Sequence, residues 1–200
     1  MDNLPAVAGL SWSKIRALAR GVAADEPVEV ILAAVPGLLS AAEPAERQFG
    51  AYLLGFTCAG NPEQLELLRR QAGSDPSWEV QEAVAQAFDG YCGGVGYEHA
   101  LPTIDAWLAD EHPNVRRAVS EGLRPWTAGA RRYFAARPTE AIRRLAGLRA
   151  DPSDYTRHSA GNALRDIRRR WPELVDAETR TWDLNDPLQA FTYRRVLRAR

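Results

Sequence analysis

The sequence predicts an all-α fold of stacked helical hairpins, and three observations carry that prediction. The first is internal repetition. The segments AERQFGAYL (45–53), VQEAVAQAF (80–88), VRRAVSEGL (115–123) and TRHSAGNAL (156–164) follow one another at offsets of 35, 35 and 41 residues. That spacing belongs to helical-hairpin repeats of the HEAT/armadillo kind, in which each unit buries its apolar face against its neighbours. The second is periodicity. Positions one, five and nine of the later copies form apolar stripes: Val80, Val84, Phe88, then Val115, Val119, Leu123, then Thr156, Ala160, Leu164. A step of four follows the 3.6-residue helical period. The third is punctuation. Asp75-Pro76, His112-Pro113, Asp151-Pro152 and Asp186-Pro187 set a proline at or near a first helical turn, where its missing N–H costs nothing and an aspartate can cap free amides.

The elements fall into place around these copies. Residues 1–40 read as N-terminal capping helices, 45–170 as the recognisable repeats and 171–200 as C-terminal capping helices, all within one domain, 1–200. Further helical segments are expected at roughly 61–73, 98–110 and 138–150, making five or six helix pairs in a curved array with a concave groove. Thr156 is the one polar member of the stripes. The run GYCGGVGYEH (90–99) follows no strand, so a phosphate-cradling loop is disfavoured and an inter-helix turn is expected. Trp126, after Pro125, reads as a core plug at a helix end, and Asp89 and Asp166 as helix-end or surface charges.

Composition narrows the class. Hydrophobic residues make up 46% of the 200, with six tryptophans, as a folded chain requires. No apolar run approaches the eighteen residues of a membrane span. The N-terminus lacks a basic region before an apolar one, so no secretory signal is expected. Cys58 and Cys92 stand without a CxxC or Cys/His cluster, so they read as reduced thiols of a cytoplasmic protein, with no metal site. The net charge of −1 hides an asymmetry. Residues 1–113 hold 16 acids and 6 bases, whereas residues 114–200 hold 10 acids and 19 bases, all arginine. A basic half of this kind points to nucleic acid as partner, with ordinary solvated helix faces as the alternative.

The face opposite the stripes supplies the candidate site. Position three lies about 200° round the helix from the core residue, and position seven about 240°. Column three reads Arg47, Glu82, Arg117, His158; column seven reads Ala51, Gln86, Glu121, Asn162. Trp78 stands one turn before Glu82 on the same face. An indole, two carboxylates, arginines, a histidine and amides are thus expected on the concave side. Two blander readings remain open. Trp78 packs under the preceding loop, or Glu82 and Arg117 form a solvated ion pair of little energetic weight.

The segments DPSWEVQEAVAQAF, HPNVRRAVSEGLRPW and YTRHSAGNALRDI together resemble the HEAT-like-repeat alkylpurine DNA glycosylases of the AlkC/AlkD superfamily, over about residues 45–170. The VRRAVSEGLRPW helix and the run Asn162–Ile167 most resemble the AlkC branch. The resemblance implies duplex DNA held in the groove, alkylated or structurally unusual, by a monomer without cofactor. It also implies excision of N3- or N7-alkylated purines, whose positive charge makes them good leaving groups. Such a site supplies a carboxylate beside the deoxyribose as it becomes oxocarbenium-like, together with a positioned water. On this resemblance Glu82 matches the catalytic acid, and Glu121 is a second candidate. Trp78 matches the aromatic platform for a cationic base, and Arg117 a phosphate contact. Arg47, Arg116, Arg157, His158 and Asn162 are the remaining candidate DNA-binding residues. Two other readings stay open: a DNA-binding relative without catalysis, and a protein-interaction scaffold.

Overall fold

The computed structural model describes residues 4–124 and 128–198, so Trp126 lies outside the described residues. The described residues form twelve helices and no strand: α1 (Trp12–Asp25), α2 (Val28–Leu39), α3 (Pro44–Thr57), α4 (Pro62–Ser74), α5 (Trp78–Val95), α6 (Tyr97–Leu108), α7 (Pro113–Gly122), α8 (Ala128–Ala135), α9 (Pro138–Ala146), α10 (Asp154–Arg168), α11 (Pro172–Thr179) and α12 (Pro187–Leu197). No helix is long and apolar enough to cross a membrane. The contacts divide the chain into two compact units, Met1–Gly96 and Tyr97–Arg200.

The first unit has two rows. Helices α1, α3 and α5 lie side by side, with α2 and α4 packed behind α3 and α5. The α3–α5 contact is the most extensive, and glycine explains why. A Cβ added at Gly55 would fall 2.5 Å from the Ala87 Cα, and one at Gly90 would fall 2.8 Å from the Gly55 carbonyl oxygen. Only hydrogen fits at either point. The glycine-rich run is therefore not a turn: α5 continues through Val95, and the chain breaks at Gly96, whose φ of 86° suits glycine. Burial of Phe88 and Cys92 against the neighbouring helices holds this stretch helical.

The second unit repeats the plan. Helices α7, α10 and α12 form one row, and α6, α9 and α11 pack on their other side. A Cβ at Gly161 would lie 2.6 Å from the Arg195 Cβ, so α10 and α12 also meet through a glycine. The longer third offset has a structural cause in the additional helix α8, inserted between α7 and α9. The polar Thr156 is fully buried, and its hydroxyl donates to the Pro113 carbonyl at 3.1 Å. Thr192 in α12 does the same to the Arg149 carbonyl at 2.7 Å.

Proline opens α3, α4, α7, α9, α11 and α12 at the first or second position. His112 caps α7 and Asp186 caps α12, each accepting a backbone N–H. Asp75 and Asp151 behave differently. The caps of α5 and α10 are Ser77 and Ser153, and the two aspartates sit just upstream as buried anchors. Asp89 and Asp166 are also buried, contrary to the surface role their sequence positions suggest.

Candidate functional site

The two anchors define one device used in both units. Arg47 donates from Nε to Asp75 Oδ2 at 2.7 Å, and from Nη1 to the carbonyls of Ala41 and Ala42 at 2.9 and 2.8 Å. Arg116 donates from Nε and Nη2 to Asp151 at 2.6 and 2.7 Å, and from Nη1 to the carbonyls of Asp110 and Glu111 at 2.7 and 3.0 Å. Each aspartate also accepts the N–H of the serine that follows it by two. The guanidinium fork thus staples one repeat to the next, and Asp151 with its neighbour Asp110 holds the Arg116 pKa above the usual arginine value. Arg47 and Arg116 were expected to face DNA. The structure corrects this, because their donors are spent inside the protein.

The staple also corrects the alignment of the first copy by one residue. Arg47 does the work of Arg116, which occupies column two, so column three in α3 is Gln48 and column seven is Tyr52. Ala51, assigned to column seven by sequence, is fully buried. With that register Gln48, Tyr52, Glu82 and Gln86 line one recess, and the Tyr52 hydroxyl donates to Gln86 Oε1 at 3.4 Å.

This recess, about 620 Å³, lies within the first unit among α1, α3 and α5. Its lining includes Trp12, Trp78, Glu43, Glu79 and Glu82. Both indoles are open to solvent, Trp12 at 60% and Trp78 at 67%. Trp78 therefore does not pack under the preceding loop. Burial raises the Tyr52 pKa to about 12, with Arg16 lowering it and Glu82 raising it, so the phenol stays protonated. Gln48 is 5% exposed, and its Oε1 has no hydrogen-bond partner among the described residues. Trp12, Gln48 and Tyr52 escaped the sequence reading. The first repeat hid two of them through the register slip, and Trp12 lies upstream of any recognisable copy.

The equivalent columns of the second unit are filled. Glu121, the second candidate acid, is 8% exposed. Its Oε2 accepts from Arg124 at 2.6 Å and its Oε1 from Ser159 at 2.7 Å. Arg124 goes on to Asp166 at 2.8 Å, so the carboxylate is a node in a buried network rather than an open acid. Arg117, 7% exposed, holds its guanidinium carbon 4.5 Å from the centre of the Tyr155 ring. Arg157, equally buried, donates to the Asp151 carbonyl and lies over the Phe191 ring at 5.1 Å. His158 meets Arg195 at 3.1 Å and stands edge-on to Phe191. Burial first, then Arg195, lowers its pKa. Asn162 is half-buried. The expectation that these side chains face an open surface fails for Arg116, Arg117, Glu121 and Arg157: loop carbonyls and Asp151 take up Arg116 and Arg157, Tyr155 packs on Arg117, and Arg124 and Ser159 engage Glu121. Trp78 and Glu82 share the recess; the other candidates do not line it. Among the described residues, no group of three or more His, Cys, Asp or Glu side chains is arranged to hold a metal ion.

Comparison with known proteins places the geometry. The sequence profile of the DNA alkylation repair enzymes matches residues 1–177. The chain belongs to the DNA alkylation repair enzyme family. The crystal structure of AlkD2 from Streptococcus mutans is 36% identical, covers 93% of this chain and 88% of that one, and superposes with a TM-score of 0.87. The structure of smu.31 from Streptococcus mutans UA159 gives 35% identity, 93% and 91% coverage and a TM-score of 0.87. The Pseudomonas fluorescens alkylpurine DNA glycosylase AlkC, bound to DNA containing an abasic site analog, shares the fold at 22% identity and a TM-score of 0.54, over 93% of this chain and 61% of that one. The sequence motifs pointed to the AlkC side of the superfamily; identity and superposition are both higher with AlkD2. None of the curated proteins compared matches the chain.

Proposed function

We propose that this family member is a DNA glycosylase that excises N3- or N7-alkylated purines from duplex DNA, with the first-unit recess as its base-recognition site. One observation carries the reading. Two exposed indoles and the Glu82 carboxylate line a single recess of about 620 Å³. An alkylated purine is cationic, so it is held by aromatic faces and leaves without an acid. Glu82 supplies the negative charge that a developing oxocarbenium ion needs and orients the attacking water. Trp78 and Trp12 hold the base. Exposed arginines, among them Arg132, Arg180 and Arg194, are cations of the kind that bind a phosphate backbone.

The test is release of 3-methyladenine or 7-methylguanine from methylated duplex DNA. Wild type releases base, and Glu82→Gln loses release while keeping DNA affinity. A second reading, DNA binding without excision, draws on a specific observation: of the two candidate acids, Glu121 is held between Arg124 and Ser159. Salt-sensitive binding by wild type without base release selects that reading.

A further inference from the structure

Helix α1 has a second face besides the one that lines the recess. Its buried residues are Ile15 and Ala19, and α1 packs on α3. Lys14, Leu18, Gly21 and Asp25 fall on another side. Their steps of four, three and four keep them within about 60° of one another round the helix. With Leu10, Ala17 and Val22 they line an open groove of about 540 Å³, to which no other helix contributes among the described residues.

The terminal helix of a repeat stack needs a polar outer face where it meets only water. This face is apolar along its middle and charged at its two ends. A Cβ added at Gly21 would meet nothing within 4 Å, whereas Gly55, Gly90 and Gly161 each sit where two helices of the chain meet. Lys14 and Asp25 are both exposed and stand about 16 Å apart along the helix axis.

The strip has the same spacing from either end, and its charges are opposite at the two ends. An antiparallel copy of α1, related by a two-fold axis midway between Leu18 and Gly21, satisfies both features. Each Leu18 enters the gap above the second copy's Gly21, and each Lys14 meets the second copy's Asp25. A parallel copy would set Lys14 on Lys14 and Asp25 on Asp25. A partner of one charge sign, nucleic acid included, suits one end and is repelled by the other.

We propose that this face of α1 is an isologous docking surface on which a second copy of the chain pairs antiparallel, in place of the monomer that the family resemblance implies. The surface is one helix wide, less than a permanent dimer buries, so the dimer is weak and forms at high protein concentration. Trp12 lies about 150° round the helix from the centre of the strip, so the pairing does not cover the indole face of the recess.

Sedimentation equilibrium of the full chain, from about 1 μM to about 1 mM, tests this. The average mass climbs from 22.1 kDa toward twice that value. Gly21→Gln fills the gap that Leu18 enters and weakens association about 10-fold, with unchanged circular dichroism. Lys14→Glu and Asp25→Lys each set like charges together at both ends and weaken association about 10-fold. An equimolar mixture of those two variants restores it, as does the double variant, because every opposite-charge pair is remade with its signs exchanged. A mass of 22.1 kDa at all concentrations overturns the proposal and leaves the groove to a partner of another kind. A dimer indifferent to Gly21→Gln, or a mixture no tighter than either charge variant alone, overturns it as well.

Discussion

The two units use the same parts to opposite ends. In each, an arginine fork on an inner-row helix clasps the aspartate of the next Asp-Pro-Ser turn: Arg47 with Asp75, Arg116 with Asp151. In each, two inner-row helices meet at glycine, Gly55 with Gly90 in the first and Gly161 in the second. The columns beside the staple then diverge. In the first unit Gln48, Tyr52, Glu82 and Gln86 line an open recess flanked by indoles. In the second, Arg117 and Glu121 are buried against Tyr155 and Ser159 of the neighbouring α10, and His158 is held against α12. Equivalent positions in a repeat therefore do not have equivalent chemistry. What lies over a helix face decides whether its charged residues react with a ligand or only with each other.

The staple should break the comparison least and stability most. Arg116→Ala leaves the Asp151 carboxylate buried without its partner, so chemical denaturation should show a loss of about 3–5 kcal/mol. Arg47→Ala should show a loss of the same order, since Asp75 is as deeply buried. Markedly unequal losses would mean that the device is not shared. Gly55→Ala should cost roughly 1–3 kcal/mol, because the new methyl meets the backbone of Ala87 rather than a yielding side chain.

The paired acids sharpen the contrast further. Glu121→Gln turns one of two engaged oxygens into a donor facing Arg124 or Ser159, and should destabilise by about 1–3 kcal/mol. Glu82→Gln should change stability by less than about 1 kcal/mol, because Glu82 is half-exposed at the recess. The smallest effect concerns pH. Burial raises Cys58 from 9.0 to about 12 and Tyr52 from 10.0 to about 12. Both are neutral in the fold while the unfolded chain ionises first, so the contribution of each is whole below its unfolded value. It is lost as pH climbs from about 9 toward 12. Denaturation midpoints should fall across that window, and Cys58→Ala should flatten the fall. The same thiol should resist alkylation in the native protein at neutral pH.

Much of the fold was legible because its signals are local. Val80-Val84-Phe88 and Val115-Val119-Leu123 mark α5 and α7 through spacing alone, and Pro113 and Pro187 open α7 and α12 as expected, whereas Pro76 and Pro152 stand two residues before α5 and α10. Less of the site was legible, for reasons that are three-dimensional. Arg47 and Arg116 look like any exposed arginine until the Asp-Pro-Ser turn of the next repeat folds onto them. Glu121 looks like Glu82 until Ser159 and Arg124 close over it. The GYCGGVG run reads as a turn by composition, yet Gly90 serves a helix crossing that no local pattern announces. Trp12 and Gln48 become visible only when α1 and α3 are set beside α5.

The most direct measurement compares two variants in one assay. Glu82→Gln and Glu121→Gln, each corrected for folded fraction, are tested beside wild type for release of 7-methylguanine from methylated duplex DNA. The account predicts release by wild type and by Glu121→Gln, and none by Glu82→Gln. Release that survives in Glu82→Gln but vanishes in folded Glu121→Gln would place the chemistry in the second unit and contradict it.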